Sequence, residues 1–370
     1  MEKYDVIVCG GGIAGISAAL ASARSGQKVC LIERNALLGG LATVGLIHWY
    51  EPLCDGRNHQ MIYSIAEELL KLSIAHGYDT LDHSWFDSNC KEHQKRFSTW
   101  FDPNLFALSL TRLLDEEGVK IYFESQISEV HVRNNKITSL DIYTIEGKIK
   151  LGAKSFIDAT GSAYIFKQAN LPTRNGENYL TYATTTYKNG LGRPIFQYTG
   201  ASMYGNDCPD GVRNFKDASQ KDVNDYLLIG QKLCLKEYEE GKISDLSILP
   251  NMVQFRRIST IQGDYQLSKD DLYQHHEDSI GVIGVFDRPG EWYELPLGIL
   301  TQPTITNLFA AGRIVSCLDN PAWEATRVIP VCALTGEVCG YLASYYNKNH
   351  RIDLKEIQNI LVQHGIKLHY

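Results

Sequence analysis

The sequence predicts an α/β fold with a parallel central sheet. Three observations predict it: a glycine-rich turn between two apolar runs in the first 34 residues, alternating apolar and polar sequence over 127–161, and a long polar, tyrosine-rich stretch over 163–290. The first is typical of a Rossmann-like unit, in which a helix connects two parallel strands. The second predicts an antiparallel three-stranded meander. The third predicts a second, mixed α+β domain.

The glycine-rich turn lies in VIVCGGGIAGISAALASARSGQKVCLIER, residues 6–34. Gly10, Gly12 and Gly15 have the G-x-G-x-x-G spacing, in which the first glycine permits a tight turn, the second admits a pyrophosphate and the third lets the next helix pack closely. Glu33 ends the second apolar run, where an acid accepts hydrogen bonds from a ribose diol. We therefore expect a dinucleotide here. This element alone leaves NAD and FAD open.

A helix and the meander follow along the chain. The helix is predicted in FDPNLFALSLTRLLDEEG, with Asp102 as N-cap, Pro103 as first helical residue and Gly118 beyond the end. In ISEVHVRNNKITSLDIYTIEGKIKLGAKSFIDATG, apolar and polar residues alternate around turns at Asn134–Asn135 and Glu146–Gly147. This pattern predicts three antiparallel strands.

Two further apolar runs end in small residues. SFIDATG, residues 155–161, closes on Ala159, Thr160 and Gly161, and NLFAAGR, residues 307–313, closes on Gly312 and Arg313. Small residues at a strand end let a nucleotide press against the backbone. A last helix is predicted over about 327–346.

Composition narrows the class of partner. The 370 residues are 44% hydrophobic and 21% charged, and the net charge of −7 gives no electrostatic reason to expect nucleic acid or an anionic membrane. No apolar run reaches the roughly 18 residues that span a bilayer, and a strand beginning near Tyr4 leaves no room for a signal peptide. Nine cysteines without a C-x-x-C pair argue against disulfides and iron–sulfur clusters. We expect a cytoplasmic protein with reduced cysteines, no bound metal and a small-molecule substrate; the oligomeric state stays open.

Five segments resemble the FAD-dependent oxidoreductases of the glutathione-reductase-like two-dinucleotide superfamily, and more narrowly a bacterial FAD-dependent oxidoreductase family. They are GGGIAGISAALASARSGQKVCLIER, LGGLATVG, FIDATG, RRISTIQGDYQLSKDDL and NLFAAGRIVSCLDNPAWEATRVIPVCALTGEVCG, in the family's order. The resemblance favours FAD over NAD. It implies a discontinuous FAD-binding domain of residues 1–50, 101–165 and 295–350, and a substrate or cap domain of residues 51–100 and 166–294.

The resemblance also implies where FAD binds. It places the double glycine after Glu33 near the pyrophosphate and flavin, the third segment near the adenosine, and the N-terminus of the last helix at the pyrimidine edge of the flavin. Two departures from the family are Ser162, where related flavoproteins often have an acid, and Cys317-Leu318-Asp319, where the family often has a histidine. The expected cofactor-binding residues are Gly10, Gly12, Ile13, Ala14, Gly15, Glu33, Arg34, Gly39, Gly40, Leu41, Ala42, Thr43, Ala159, Thr160, Gly161, Gly312, Arg313, Arg327 and Val328.

Four residues are candidates for the chemistry. His48 is a general base, a covalent attachment point for the flavin or an interdomain contact. Arg256 and Arg257 lie in a strand-like segment where consecutive side chains face opposite ways, so that one reaches the active site and the other makes a structural ion pair. Asp319 either replaces the missing histidine as base or is a solvent-facing acid on the loop before the last helix.

These expectations give an oxidoreductase that transfers two electrons, as a hydride, between flavin N5 and a small polar metabolite. Two alternatives remain open. One is a flavin monooxygenase that uses NAD(P)H and oxygen, and the other is a non-catalytic FAD-binding electron-transfer subunit.

Overall fold

A computed structural model describes residues 1–87, 89–90, 92–93, 95–187, 194–202, 204–243 and 245–370. Its strands are β1 (Glu2–Cys9), β2 (Val29–Ile32), β3 (Trp49–Tyr50), β4 (Thr99–Trp100), β5 (Lys120–Tyr122), β6 (Gln126–Arg133), β7 (Lys136–Thr144), β8 (Gly147–Asp158), β9 (Thr173–Asn175), β10 (Thr181–Tyr187), β11 (Pro194–Gly200), β12 (Ser259–Ile261), β13 (Ser279–Gly284), β14 (Trp292–Pro296) and β15 (Leu308–Ala310). Its α-helices are α1 (Ile13–Arg24), α2 (Ile65–Ile74), α3 (Pro103–Glu116), α4 (Tyr164–Gln168), α5 (Gln220–Glu239), α6 (Asn320–Thr326), α7 (Ile329–Asn349) and α8 (Leu354–Gln363).

The central sheet has the order β5-β2-β1-β8-β7-β6, with β15 paired to the far end of β8. Strands β5, β2, β1, β8 and β15 are parallel, whereas β6, β7 and β8 form an antiparallel meander. The predicted α/β fold and the meander are therefore confirmed. Four two-stranded sheets, β3–β4, β9–β12, β10–β11 and β13–β14, lie outside it.

Strand β8 joins two elements that the sequence suggested separately. One edge pairs with β1 in parallel, while the other pairs first with β7 and then, over Phe156–Asp158, with β15. The last strand of the meander and the strand ending in Asp158-Ala159-Thr160-Gly161 are thus one 12-residue strand. The meander is consequently a direct extension of the nucleotide-binding sheet.

Helices α1 and α7 pack closely, side by side. A Cβ at Gly336 would overlap the carbonyl oxygen of Ala14, and one at Gly340 would lie 2.6 Å from that of Ala18. Only glycine permits this close approach of the two helices. The first turn of α7 then borders the same cleft as the glycine-rich turn that precedes α1.

Two predictions about the C-terminal half need correction. The helix predicted over about 327–346 is α7, which begins at Ile329, but it is not the last helix, because α8 follows it. A further helix that was not predicted, α6, precedes it, with Asp319 as its N-cap and a proline in its first turn. Asp319 therefore starts a helix instead of lying within a loop, because its carboxylate accepts the Ala322 amide. Arg256 and Arg257 also lie outside regular strand, since β12 begins only at Ser259.

The tyrosine-rich middle of the chain has an apolar cluster of its own, formed by Leu180, Tyr182, Phe215, Tyr226, Cys234, Ile243 and Phe255. By contrast, Leu53 and Phe97, from the first part of the predicted cap domain, pack in the same cluster as α1 and α7. The predicted domain boundaries stay a prediction.

The nine cysteines are free thiols in this structure. No single helix in the described ranges combines the length and apolar composition needed to cross a bilayer; α6 and α7 reach them only together, with a bend of 78° between them.

Candidate functional site

The glycine-rich turn and the double-glycine loop lie directly against each other. The Gly39 amide donates to the Gly11 carbonyl at 2.8 Å, and a Cβ at Gly40 would lie 3.2 Å from the Gly12 Cα. A Cβ at Gly12 would instead point into open space. Gly12 is also the N-cap of α1, and no side chain caps this helix. The first-turn amides of α1 are therefore free to bind an anion in that space.

A cleft of about 710 Å³ runs along this loop. It holds most of the expected cofactor residues. Of the remaining three, Gly15 packs on the Gly10 carbonyl, Thr43 donates to the Leu38 carbonyl, and Val328 is the buried N-cap of α7. We call it the dinucleotide cleft; its lining is Gly10, Gly12, Ile13, Ala14, Glu33, Arg34, Asn35, Gly39, Gly40, Leu41, Ala42, Ala159, Thr160, Gly161, Met252, Ala311, Gly312, Arg313, Arg327, Ile329 and Cys332.

A pocket of about 590 Å³ continues the cleft at the β2 end. The two share Glu33, Arg34 and Thr160, among others, and Ser162 and Tyr164 lie on the far wall. We call it the β2-side pocket. Ser162, the residue that departs from the related flavoproteins, therefore lies where the adenosine half of a dinucleotide is expected.

Glu33 organises the turn as well as facing the cleft. Its Oε2 accepts the Gly11 amide at 2.6 Å, and its Oε1 accepts both the backbone and the side-chain amide of Asn35. The side chain is only 5% exposed. Glu33, at the end of β2, therefore fixes the backbone of the glycine-rich turn through the Gly11 amide.

At its opposite end the cleft opens into a small chamber of about 340 Å³. We call it the inner chamber; its lining is Leu41, Ala42, Ile47, Glu51, Arg256, Arg313, Arg327 and Ile329. Five of these residues also line the dinucleotide cleft. Three guanidinium groups and one carboxylate thus meet at the N-terminus of α7.

Glu51 is the acid of this chamber. Its Oε2 accepts the amide of Ile329, the first residue of α7, at 2.9 Å. Burial raises the pKa of Glu51 to about 6, while the Ile329 amide and the nearby charges of Arg327 and Arg256 oppose that rise. The group can therefore change protonation state close to neutral pH.

A second cavity, of about 710 Å³, lies beyond the chamber. We call it the outer cavity; its lining is Glu177, Asn178, Tyr179, Thr181, Tyr204, Gln254, Arg256, Asn320, Trp323, Glu324 and Arg327. Arg256 and Arg327 line both the outer cavity and the inner chamber. Arg327 lines the dinucleotide cleft as well, so one side chain borders all three spaces.

Arg313 ties the end of β15 to the segment that carries Arg256. Its Nη1 donates to the carbonyl oxygens of Phe255 and Arg256. A Cβ at Gly161 would lie 2.6 Å from its guanidinium, so the arginine lies flat over that glycine. The expected cofactor residue Arg313 therefore also fixes the position of Arg256.

The other catalytic candidates lie elsewhere. His48 is fully buried, with Nε2 3.2 Å from the Thr185 Oγ1 and with Trp100 and Phe196 packed edge-on against its ring. Burial lowers the pKa of His48 to about 4, so the ring is neutral at pH 7. His48 is absent from the linings of the four spaces among the described residues, which favours the interdomain-contact interpretation.

Arg257 and Asp319 are engaged by other groups. Arg257 donates to the Asn320 side chain and lies over the Trp323 ring at 5.3 Å. It therefore makes a polar and aromatic contact in place of the expected ion pair. The two carboxylate oxygens of Asp319 accept the amides of Ala322 and Lys269.

Sequence reasoning missed Glu51, three residues after the candidate that it chose. Ile47 and Glu51 line the inner chamber, whereas His48 and Tyr50 are buried behind it. Successive side chains of an extended segment face opposite ways. This alternation was the signal in the sequence that Glu51 faces the same side as Ile47 and that His48 faces the other side.

A family model described as FAD dependent oxidoreductase matches residues 5–221 and 283–361. The chain belongs to this family. Family membership assigns it FAD and places it among the oxidoreductases. The prediction of FAD in place of NAD is therefore confirmed.

Curated relatives are similar over parts of this FAD-dependent oxidoreductase. They include glutathione reductase of Debaryomyces hansenii (31% identity, 28% of this chain and 22% of the relative), thioredoxin reductase of Ureaplasma parvum (28%; 22% and 26%) and the tRNA uridine modification enzyme MnmG of Buchnera aphidicola (26%; 40% and 22%). Each match spans about a quarter of the relative's length. The first two agree with the superfamily expected from the sequence.

Solved structures with a similar overall course include a flavoprotein/dehydrogenase from Cytophaga hutchinsonii (14% identity, TM-score 0.47, 98% of this chain and 83% of that one). Another is p-nitrophenol 4-monooxygenase from Pseudomonas putida (12% identity, TM-score 0.48, 98% and 84%).

The described residues fit FAD. The open space at Gly12 and the uncapped first turn of α1 suit a pyrophosphate, and Glu33 in the continuous β2-side pocket suits the adenosine ribose. The inner chamber adjoins the cleft at the N-terminus of α7, where the resemblance predicted the pyrimidine edge of the flavin.

Proposed function

We propose that this FAD-dependent oxidoreductase transfers a hydride between flavin N5 and a small polar metabolite held in the outer cavity. The observation that carries the proposal is the position of Arg327, which borders the dinucleotide cleft, the inner chamber and the outer cavity. A molecule in the outer cavity is thereby in line with the flavin end of the cleft.

The outer cavity lies between the two predicted domains. One wall, from Glu177 to Arg256, comes from the proposed cap domain, and the other, from Asn320 to Arg327, comes from the proposed FAD-binding domain. Clefts between domains are common substrate sites. This supports the cap domain as the part that selects the metabolite.

Bound FAD supplies the two-electron step at N5. The protein's own groups supply position and proton handling. The free amides of α1 bind the pyrophosphate, and Arg256 and Arg327 hold the metabolite. Glu51, with Oε2 bonded to Ile329, holds or releases a proton at Oε1. In this proposal Glu51 takes the role that the sequence suggested for His48 or Asp319.

A flavin monooxygenase and a non-catalytic electron-transfer subunit remain alternative predictions, and no contact among the described residues favours either. The cytoplasmic location and the small-molecule partner are likewise part of the proposal.

The test is an anaerobic screen of the holoenzyme with sugars, alcohols, hydroxy acids, amino acids and enoates. We expect one class to bleach the flavin absorbance near 450 nm, or to reoxidise photoreduced flavin, without oxygen or NAD(P)H. If no compound does so and turnover needs both NAD(P)H and oxygen, the protein is a monooxygenase and the proposal is wrong.

A further inference from the structure

Arg256 has an unsatisfied hydrogen-bonding edge. The side chain is only 9% exposed, and its Nη1 donates to the Gln254 carbonyl at 2.6 Å. Its Nε and Nη2 are buried, and no described residue forms a hydrogen bond with either. Because Arg256 lines the outer cavity and the inner chamber, these two donors lie at the junction of the two spaces.

The two unpaired N–H groups of Arg256 point in a fixed arrangement. Nε and one Nη of a guanidinium form the side-on fork that matches the two oxygens of a carboxylate. The Nη1 bond to Gln254, together with the carbonyl of Arg256 held by Arg313, fixes the orientation of the fork. A buried donor pair left unpaired is costly, so its presence indicates a ligand.

Charge at the junction points to an anion. Arg256, Arg313 and Arg327 bring three positive charges to the inner chamber, whose own acid is Glu51. Arg327 stacks on the Trp323 ring at 5.1 Å, and its buried Nε has no hydrogen-bond partner within the described part of the chain. The outer-cavity wall adds two carboxylates, Glu177 and Glu324, and Glu177 lies 3.7 Å from the Lys216 Nζ. Among the described residues that line the inner chamber itself, three cations face the one acid Glu51, which favours a bound anion.

We propose that the metabolite is a small carboxylic acid whose carboxylate is bound side-on by Nε and Nη2 of Arg256, with Arg327 as the second cation. This inference rests on the proposed function and specifies its substrate class. The reacting carbon is then a few bonds from the carboxylate, because the same two arginines line the chamber that adjoins the flavin end of the cleft.

The Arg256 fork favours a carboxylic acid over a neutral sugar as the substrate. A neutral sugar would leave the Arg256 fork facing hydroxyl groups, which are weaker acceptors than a carboxylate. Arg256 is absent from the described lining of the dinucleotide cleft, where the amides of α1 are proposed to bind the pyrophosphate of FAD. The aromatic side chains of Tyr179, Tyr204 and Trp323 provide an apolar wall for the remainder of a small acid.

The experiment titrates acetate, as the probe, into oxidised holoenzyme at constant ionic strength and follows the flavin difference spectrum. Acetamide, which has the same shape without the charge, is the ligand control. Four proteins are compared: wild type, Arg256→Gln, Arg256→Lys and Arg174→Gln. Arg174 is a matched control because it bonds to the carbonyls of Cys317 and Leu318 and lines none of the four described spaces.

We expect saturable binding of acetate and none of acetamide. Arg256→Gln weakens acetate binding about 10- to 100-fold, as loss of a charge-assisted pair does. Arg256→Lys, which keeps the charge without the fork, is intermediate, and Arg174→Gln binds as wild type. Flavin content and far-UV circular dichroism establish that each variant is folded and loaded.

Three results overturn the inference: equal acetate binding by wild type and Arg256→Gln, equal binding of acetate and acetamide, or inorganic phosphate binding more tightly than acetate in an Arg256-dependent manner. Failure of the proposed function looks different. If acetate binds as expected but no metabolite reduces the flavin, the carboxylate site stands and hydride transfer fails. If only neutral compounds bleach the flavin, hydride transfer stands and the carboxylate inference fails.

Discussion

Three of the four lone-pair positions on the Glu33 carboxylate are already used, by the Gly11 amide and the two donors of Asn35. One position, on Oε2, remains for a ribose hydroxyl. Glu33 therefore gives the glycine-rich turn one hydrogen bond and Asn35 two, and the contact that we propose to the nucleotide is a fourth.

Glu33→Ala should weaken FAD binding by about 1.5–3 kcal/mol, the usual cost of losing a charged hydrogen-bond partner, and should also loosen the turn because it leaves the Gly11 amide unpaired. Fluorescence titration of apoprotein with FAD measures the effect, and Glu33→Gln, which retains one acceptor oxygen, should be intermediate. An unchanged dissociation constant in Glu33→Ala would remove Glu33 from the site.

Glu51 predicts a pH dependence of apoprotein stability. Burial raises the pKa of Glu51 from its ordinary value of 4.5 to about 6 in the folded protein, so the folded state binds this proton more tightly. Ionised Glu51 therefore costs about 2 kcal/mol above pH 6, and the cost disappears as the pH falls from 6 to 4.5. As the pH is lowered from 7 to 4, the unfolding free energy of the wild type should therefore rise by about 2 kcal/mol relative to that of Glu51→Gln. Urea unfolding tests this, with the exposed Glu146→Gln as control; a constant difference contradicts it.

The sequence predicted residues whose role depends on their neighbours along the chain. It did not predict residues whose role depends on which way the side chain faces in the folded protein. The capping role of Asp102 follows from its neighbours in sequence, and the structure confirms it. Choosing Glu51 over His48, or Arg256 over Arg257, requires knowing which side of an irregular segment faces the chamber. That is decided by long-range contacts such as the Arg313 bonds to Phe255 and Arg256.

At the scale of elements, the α1–α7 contact links stability to cofactor binding. Gly336→Ala should gain about 1 kcal/mol of helix propensity in isolation, yet the new Cβ overlaps the Ala14 carbonyl. We expect a net loss of about 1–3 kcal/mol in unfolding free energy, typical of overpacking, and weaker FAD binding because Ala14 lines the cleft. Denaturant unfolding and FAD titration measure both, with the exposed Lys348→Ala in the same helix as control. A stabilised variant would show that the helices separate freely.

Element boundaries were predicted where the signals were contiguous in sequence. The glycine-rich turn and the meander turn at Asn134–Asn135 are of this kind. The second meander turn lies at Ile145–Glu146, one residue before the predicted Glu146–Gly147. Helix α6 was missed although Asp319 and Pro321 form a recognisable start, because the loop was interpreted by analogy with the family. The union of two predicted strands in β8 depends on β1 pairing along its length, which no local pattern reveals.

At the scale of the whole molecule, the cleft and the β2-side pocket together distinguish FAD from FMN. FMN lacks the adenosine half that we propose to lie in the β2-side pocket. At 100 times its dissociation constant, FAD should stabilise the apoprotein by about 2.7 kcal/mol, and FMN at the same concentration should stabilise it less. Thermal unfolding with each flavin tests this. Denaturation of the holoprotein should also release FAD, which chromatography identifies. Equal stabilisation by the two flavins would contradict the assignment.

The serial arrangement of the cleft, the inner chamber and the outer cavity has a kinetic consequence. With FAD in the cleft, as proposed, the outer cavity is the other named space that adjoins the chamber, through Arg256 and Arg327. The compound that gives electrons and the compound that takes them must then enter by the same mouth, one after the other. Steady-state velocities should follow a ping-pong pattern, with parallel double-reciprocal lines, and each compound should inhibit competitively against the other at high concentration. Intersecting lines would require a second entrance.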